Sequence, residues 1–157
     1  MKRVRLPALL WPLVLCTGPT SAQDLGVCQN LPFSQSNCVQ VLACIGEDGL
    51  WFDGKARGWD QGTVTGMRSD DVLCKGTWNS NGPMGTGIGE MTCQDGTDVN
   101  VIYYNQDNIT GTVIGRGFDS DGRQIQIWSG ENVLQFLTAP GAFGPALPCV
   151  FGDIPVG

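Results

Sequence analysis

The chain contains no histidine and little positive charge. Its 157 residues include 9 Lys and Arg against 15 Asp and Glu, which gives a formal net charge of −6. Without histidine, a serine or cysteine nucleophile lacks its usual general base, and no Gly-x-Ser-x-Gly elbow occurs. Phosphate backbones are bound by clustered Lys and Arg, so nucleic acid is not an expected partner.

The spacings that hold metal ions are also lacking. No Cys-x-x-Cys pair occurs, although thiolate zinc sites commonly use one. The segment Asp119-Ser120-Asp121-Gly122 resembles the middle of a calcium loop, but the twelfth position falls on Trp128, where an acid is needed. We therefore expect no metal site and no cofactor.

Paired carboxylates are the remaining catalytic candidates. A glycosidase needs two of them about 5 to 10 Å apart across a cleft. Most of the candidates fall within turn signals, where Asp hydrogen-bonds its own backbone. These positions predict that the carboxylates stabilise turns, and that the protein is not an enzyme. The closest pairs are Asp70 with Asp71, Asp95 with Asp98, and Asp119 with Asp121.

The N-terminal apolar run is too short to cross a membrane. It extends from Leu6 to Cys16 and is interrupted by proline, whereas a spanning helix needs about 20 apolar residues. Basic residues precede it, and Thr20-Ser21-Ala22 ends on a small residue. This pattern predicts a signal peptide over residues 1–22, cleaved near Ala22-Gln23, and a periplasmic or secreted protein without a transmembrane segment.

An even number of cysteines follows that segment, which predicts a disulfide framework in an oxidising compartment. Folding the turn-rich stretch from Asn79 to Gly85 into a hairpin sets Trp78 opposite Gly89, and a Cys74–Cys93 bridge is the first expectation. A further bridge is expected to pin the C-terminal tail to the body. The other candidates are Cys28, Cys38, Cys44 and Cys149.

What the chain does contain is an internal repeat. Gly85-Thr86-Gly87-Ile88-Gly89 and Gly111-Thr112-Val113-Ile114-Gly115 lie 26 residues apart, and an Asp-Gly pair follows each at the same distance. Asp-Gly between alternating apolar residues is a strong hairpin signal. The expected fold is therefore all-β, an antiparallel meander of about eight strands forming a sandwich or an open barrel.

Turn length at the Asp-Gly pairs sets the register. A three-residue loop with Gly96 left-handed places Met91 opposite Val99 and Gly89 opposite Val101, which gathers the apolar side chains on one face. The same loop at Gly122 places Gly117 opposite Ile125 and Gly115 opposite Ile127. We expect one β domain over residues 23–157, with a disulfide-pinned N-terminal loop, a repeat core at 47–137 and an irregular proline-rich tail at 138–157.

The repeat resembles the MORN family over residues 54–130. The resemblance is carried by Lys75-Gly76-Thr77-Trp78, Asn81-Gly82, Gly85-Thr86-Gly87 and Asp95-Gly96-Thr97. MORN arrays are hairpin repeats that serve mostly as scaffolds or as contacts for lipids and proteins. The resemblance implies a binding role.

A second segment is similar to the small periplasmic lysozyme inhibitors of the MliC type. It comprises Thr92-Cys93-Gln94-Asp95-Gly96 and the run from Val99 to Tyr104. These inhibitors are disulfide-bonded β-barrels whose inhibitory loops carry Ser-Gly-x-x-Tyr, whereas Ser129-Gly130 is followed here by Glu131-Asn132-Val133. The similarity implies inhibition of a cell-wall hydrolase as the alternative function.

Aromatic side chains are the remaining functional candidates, because an exposed set of them stacks on sugar rings, although core packing is the favoured explanation for large side chains in a domain of this size. The function expected from the sequence is an exported, non-enzymatic β-repeat protein that binds an envelope protein or a glycan. The candidate binding face consists of Trp59, Trp78, Tyr104 and Trp128.

Overall fold

A computed structural model describes residues 28–131 and 133, and they form an all-β structure as expected. Eight antiparallel strands follow one another in chain order, and a 3-10 turn at Pro83–Gly85 joins the fourth to the fifth. The strands are β1 (Cys38–Ile45), β2 (Leu50–Trp59), β3 (Gln61–Arg68), β4 (Leu73–Asn79), β5 (Gly87–Cys93), β6 (Asp98–Asp107), β7 (Thr112–Asp119) and β8 (Gln124–Ser129).

The sheet closes into a barrel, which corrects the expected sandwich or open barrel. β1 pairs with β8 along a seam from Val41 opposite Ser129 to Ile45 opposite Ile125. Closure gives every strand two neighbours and so removes the unpaired edges of an open sheet. The barrel also begins at β1, ahead of the repeat core expected at 47–137. The predicted signal peptide and the tail at 138–157 lie outside the described residues.

The Asp-Gly hairpins have the predicted register. Gly96 and Gly122 have φ of +88° and +80°, which favours glycine, and Cys93 N donates to Thr97 O. Met91 lies opposite Val99, and Gly89 lies opposite Val101. The second hairpin confirms the remaining predicted pairs, Gly115 with Ile127 and Gly117 with Ile125.

Inward-facing side chains alternate along each strand and fill the barrel. Glycines on the inner face make room for two large rings. A Cβ at Gly54 or Gly66 would overlap the ring of Phe52, and one at Gly89 would overlap the hydroxyl of Tyr103. The buried core comprises Val41, Ala43, Ile45, Phe52, Val64, Cys74, Met91, Cys93, Val99, Val101, Ile125 and Ile127.

Trp128 belongs to a second cluster on the outside of the seam. It is 8% exposed and packs with Leu42, Cys44 and Val133, with Ile114 beside them. Trp128 thus belongs to a second core layer outside the barrel.

Disulfides lie at both ends of the barrel. The predicted Cys74–Cys93 bridge joins β4 to β5 at directly opposite positions, and Cys28–Cys38 fastens the N-terminal loop to β1. Cys44 is also disulfide-bonded, whereas Cys149 and the expected tail bridge lie outside the described residues.

Candidate functional site: the barrel mouth

A cavity of about 80 Å³ lies at the end of the barrel where β2 and β4 end and where β1 and β7 begin. Aliphatic side chains form its floor, and aromatic side chains form much of its wall. We call this end the mouth. The floor consists of Val39, Val41, Ala56, Val64, Val113 and Ile127. The aromatic residues that line the cavity are Trp59, Trp78, Tyr103 and, from the cluster outside the seam, Trp128.

Three of the four predicted aromatic binding residues therefore line one cavity. Trp59, Trp78 and Trp128 are brought together from the ends of β2, β4 and β8. Tyr104 is not among the lining residues; it is 48% exposed on β6. That these residues bind a ligand stays a prediction.

A β-bulge explains why Tyr103 and Gln106 both reach the mouth. The β6–β7 register passes from Tyr103 opposite Gly115 to Asn105 opposite Ile114, which leaves Tyr104 as the extra residue. The bulge reverses the alternation beyond it, and Gln106 then lines the cavity. Sequence analysis missed Gln106, because period-two alternation from Tyr103 predicts residue 106 on the outer face.

The disulfide-pinned loop forms one side of the rim. The ring of Phe33 lies 4.8 Å from that of Trp59, at an interplanar angle of 42°. Gln35 Nε2 donates to Trp59 O, and Asn30 Nδ2 donates to Ile109 O across the mouth. The loop thus connects the β2–β3 turn to the β6–β7 turn.

The charged groups that line the mouth are both carboxylates, Asp60 and Asp107, and no Lys or Arg joins them among the described residues. The Ile109 N–H donates to Asp107 Oδ1 and holds the pKa of that carboxyl below its usual value. Burial raises the pKa of Tyr103 to about 12. At neutral pH, Asp107 is therefore ionised and Tyr103 is uncharged.

The three predicted carboxylate pairs lie in or beside turns at the opposite end of the barrel. Asp119 Oδ1 accepts hydrogen bonds from Asp121 N and Arg123 N, and Asp95 Oδ1 accepts one from Thr97 N. Over residues 28–131 and 133, no group of three or more His, Cys, Asp and Glu is placed to hold a metal ion.

Arg68 closes that opposite end. Its side chain is 6% exposed, and it pairs with Asp70 at 2.6 Å and with Asp95 at 2.7 Å. These pairs tie the β3–β4 and β5–β6 turns together beneath the core. Two of the carboxylates that sequence analysis weighed for catalysis, Asp70 and Asp95, thus pair with Arg68 at this end, and the apolar cavity lies at the other end.

A further apolar surface lies outside the barrel, across β5, β6 and β7. Ile88 and Ile102 are directly opposite each other, and Phe118 lies opposite Asn100. The three apolar side chains are 38%, 53% and 60% exposed. We call Ile88, Ile102 and Phe118 the outer strip.

No family model and no curated protein matches the sequence. Among solved structures, the chain is similar to a redesigned β-barrel, mFAP0, bound to DFHBI. The TM-score is 0.50 at 17% sequence identity, and the match covers 62% of this chain and 98% of that chain. At this identity the likeness supports the barrel fold alone. No helix within the described residues has the length and apolarity needed to cross a bilayer.

Proposed function

We propose that this chain is an exported, non-enzymatic β-barrel that binds a component of the cell envelope at its mouth. The observation that carries the proposal is the cavity, in which an aliphatic floor and aromatic walls are exposed at one end of a closed barrel. Apolar concavities with a few polar groups are the usual form of small-ligand sites. The similar designed barrel is itself described as bound to DFHBI.

An uncharged fluorescent probe with a narrow alkyl tail, laurdan, tests the proposal on the oxidised chain. We expect its emission to rise on binding, and we expect Ala56→Leu to abolish the rise, because three added carbon atoms enter a cavity of about 80 Å³. Thr63→Leu adds apolar volume on the exposed face of β3 and serves as the matched control. Binding that survives Ala56→Leu would overturn the proposal, as would the absence of binding.

The outer strip favours a second candidate function, inhibition of a cell-wall hydrolase. This is the function that the resemblance of residues 92–104 to the MliC-type inhibitors implies. Exposed apolar side chains grouped on one surface are typical of protein contacts. The test is lysis of peptidoglycan by a lysozyme in the presence of the chain and of its Phe118→Ser variant. Inhibition at nanomolar concentration that Phe118→Ser weakens supports this candidate, and full lysis at micromolar concentration removes it.

A further inference from the structure

We propose that the mouth takes the leading end of an uncharged apolar molecule whose hydrogen-bond-accepting oxygen pairs with Trp78 Nε1. This inference rests on the proposed function and specifies its ligand class. Three features of the mouth carry it: an unpaired buried donor, the sign of the rim charges and the size of the cavity.

The donor is the indole of Trp78. Its Nε1 is buried, and among the described residues no acceptor reaches it. An indole N–H only donates, and a buried donor without a partner costs about 1–3 kcal/mol. The other such atom, Asn30 Oδ1, belongs to the rim loop and is not among those that line the cavity.

Two neighbouring polar side chains in the mouth, those of Asn37 and Ser129, already have partners. Asn37 accepts from Leu31 N through Oδ1 and donates to Gly58 O through Nδ2. Ser129 Oγ donates to Gly111 O at 2.8 Å. Among the described residues that line the cavity, Trp78 Nε1 is the buried polar atom without a partner, and a carbonyl, ether or hydroxyl oxygen on a ligand would accept its hydrogen bond.

The rim charges decide which oxygen is acceptable. Asp60 and Asp107 line the mouth without a cation beside them in the described part of the chain, so a carboxylate or phosphate ligand is repelled. An ammonium ligand is attracted by these carboxylates, but it carries donors only and leaves Nε1 unpaired. An uncharged ligand with an accepting oxygen is not repelled by the carboxylates, and its oxygen can accept the hydrogen bond from Nε1.

Cavity size limits how much of the ligand enters. An engineered cavity of about 150 Å³ holds benzene, and the mouth has about 80 Å³. A ring system does not fit whole. The ligand is therefore expected to insert a narrow end, with the remainder lying against Trp59 and the rim.

A matched probe series tests the inference by titration of the oxidised chain. The probes are a medium-chain methyl ketone, the alkane of equal length, the carboxylate and the primary ammonium. We expect the ketone to bind more tightly than each of the others, by about three- to tenfold over the alkane, which corresponds to one hydrogen bond. Trp78→Phe is expected to remove the ketone's advantage over the alkane, while Trp51→Phe on the outer surface preserves it.

Nuclear magnetic resonance supplies a readout that does not depend on the folding of a variant. The ketone is expected to move the Trp78 Nε1–H resonance downfield and to slow its exchange with water, and the alkane is expected to do neither. Equal affinities for ketone and alkane, or preference for the carboxylate, would overturn this inference and leave the proposed function standing if Ala56→Leu still blocks binding. Failure of all probes to bind would overturn both.

Discussion

Tyr103 shows how one partly buried side chain contributes to the pH dependence of the whole protein. Its ring packs against Gly89 and Gly115, and burial raises the pKa of its phenol to about 12. An unfolded tyrosine titrates near pH 10. The folded state therefore holds this proton more tightly than the unfolded state does, so the stabilisation is complete below pH 10 and is lost as the pH rises toward 12.

Alkaline titration checks this expectation. The chain has two tyrosines, so Tyr104→Phe leaves Tyr103 as the single phenol. We expect its phenolate absorbance to appear near pH 12, and we expect the free energy of unfolding to fall by about 2–3 kcal/mol between pH 10 and pH 12. In Tyr103→Phe, the free energy of unfolding should decrease less between pH 10 and pH 12. A phenolate that appears near pH 10 while the barrel stays folded would contradict the burial argument.

At the scale of strands, the hairpins were predictable because their signals are local. An Asp-Gly pair with left-handed glycine fixes a three-residue loop, and the loop fixes which side chains share a face. Met91 and Val99 were paired correctly for this reason. The β6 bulge has no comparable signal in Tyr103-Tyr104-Asn105, so the entry of Gln106 into the mouth was missed.

Gly89 of β5 offers a direct test of glycine packing against an aromatic ring. Its alanine variant places a methyl group on the Tyr103 hydroxyl, and overpacking of this kind costs about 1–3 kcal/mol. We expect Gly89→Ala to lower the urea midpoint accordingly. Tyr103→Phe in the same chain removes the overlapping oxygen, so the double variant should be more stable than Gly89→Ala alone.

The matched control for this prediction is Glu90→Ala, which changes the exposed neighbour on the same strand. Its effect should stay within about 0.5 kcal/mol. If Tyr103→Phe destabilises the Gly89→Ala chain as much as it destabilises the parent, the two residues are not coupled and the packing account fails.

At the scale of the whole molecule, the sequence predicts a meander and leaves its closure undetermined. The seam joins β1 to β8, whose paired residues Val41 and Ser129 are far apart in the chain. Whether such strands meet depends on the tilt and stagger accumulated over the strands between them, which no short pattern encodes. The cavity was not predicted for the same reason, because the mouth exists only once the barrel is closed.

Arg68 makes the stability of the protein depend on pH in the acid range, and it does so at the end of the barrel opposite the mouth. Its hydrogen bond to Asp70 lowers the pKa of that carboxyl. The pKa of Asp95 is lowered mainly by its hydrogen bond from the Thr97 N–H and, to a smaller extent, by Arg68. Because these values lie below those of the unfolded chain, the stabilisation is complete above about pH 4 and is lost as the pH falls through the folded values.

We expect Arg68→Met to lower the thermal midpoint at neutral pH, by about 5 °C for each kcal/mol of stability lost. We also expect the thermal midpoint of Arg68→Met to fall less than that of the parent when the pH is lowered from about 4 to about 2. Lys75→Met removes an exposed cation from β4 and should retain the parent's decline. Circular dichroism melts over this range measure both effects. The same acid slope in Arg68→Met and in the parent would show that other carboxylates govern acid unfolding, and that the ion pairs beneath the core do not hold this end of the barrel together.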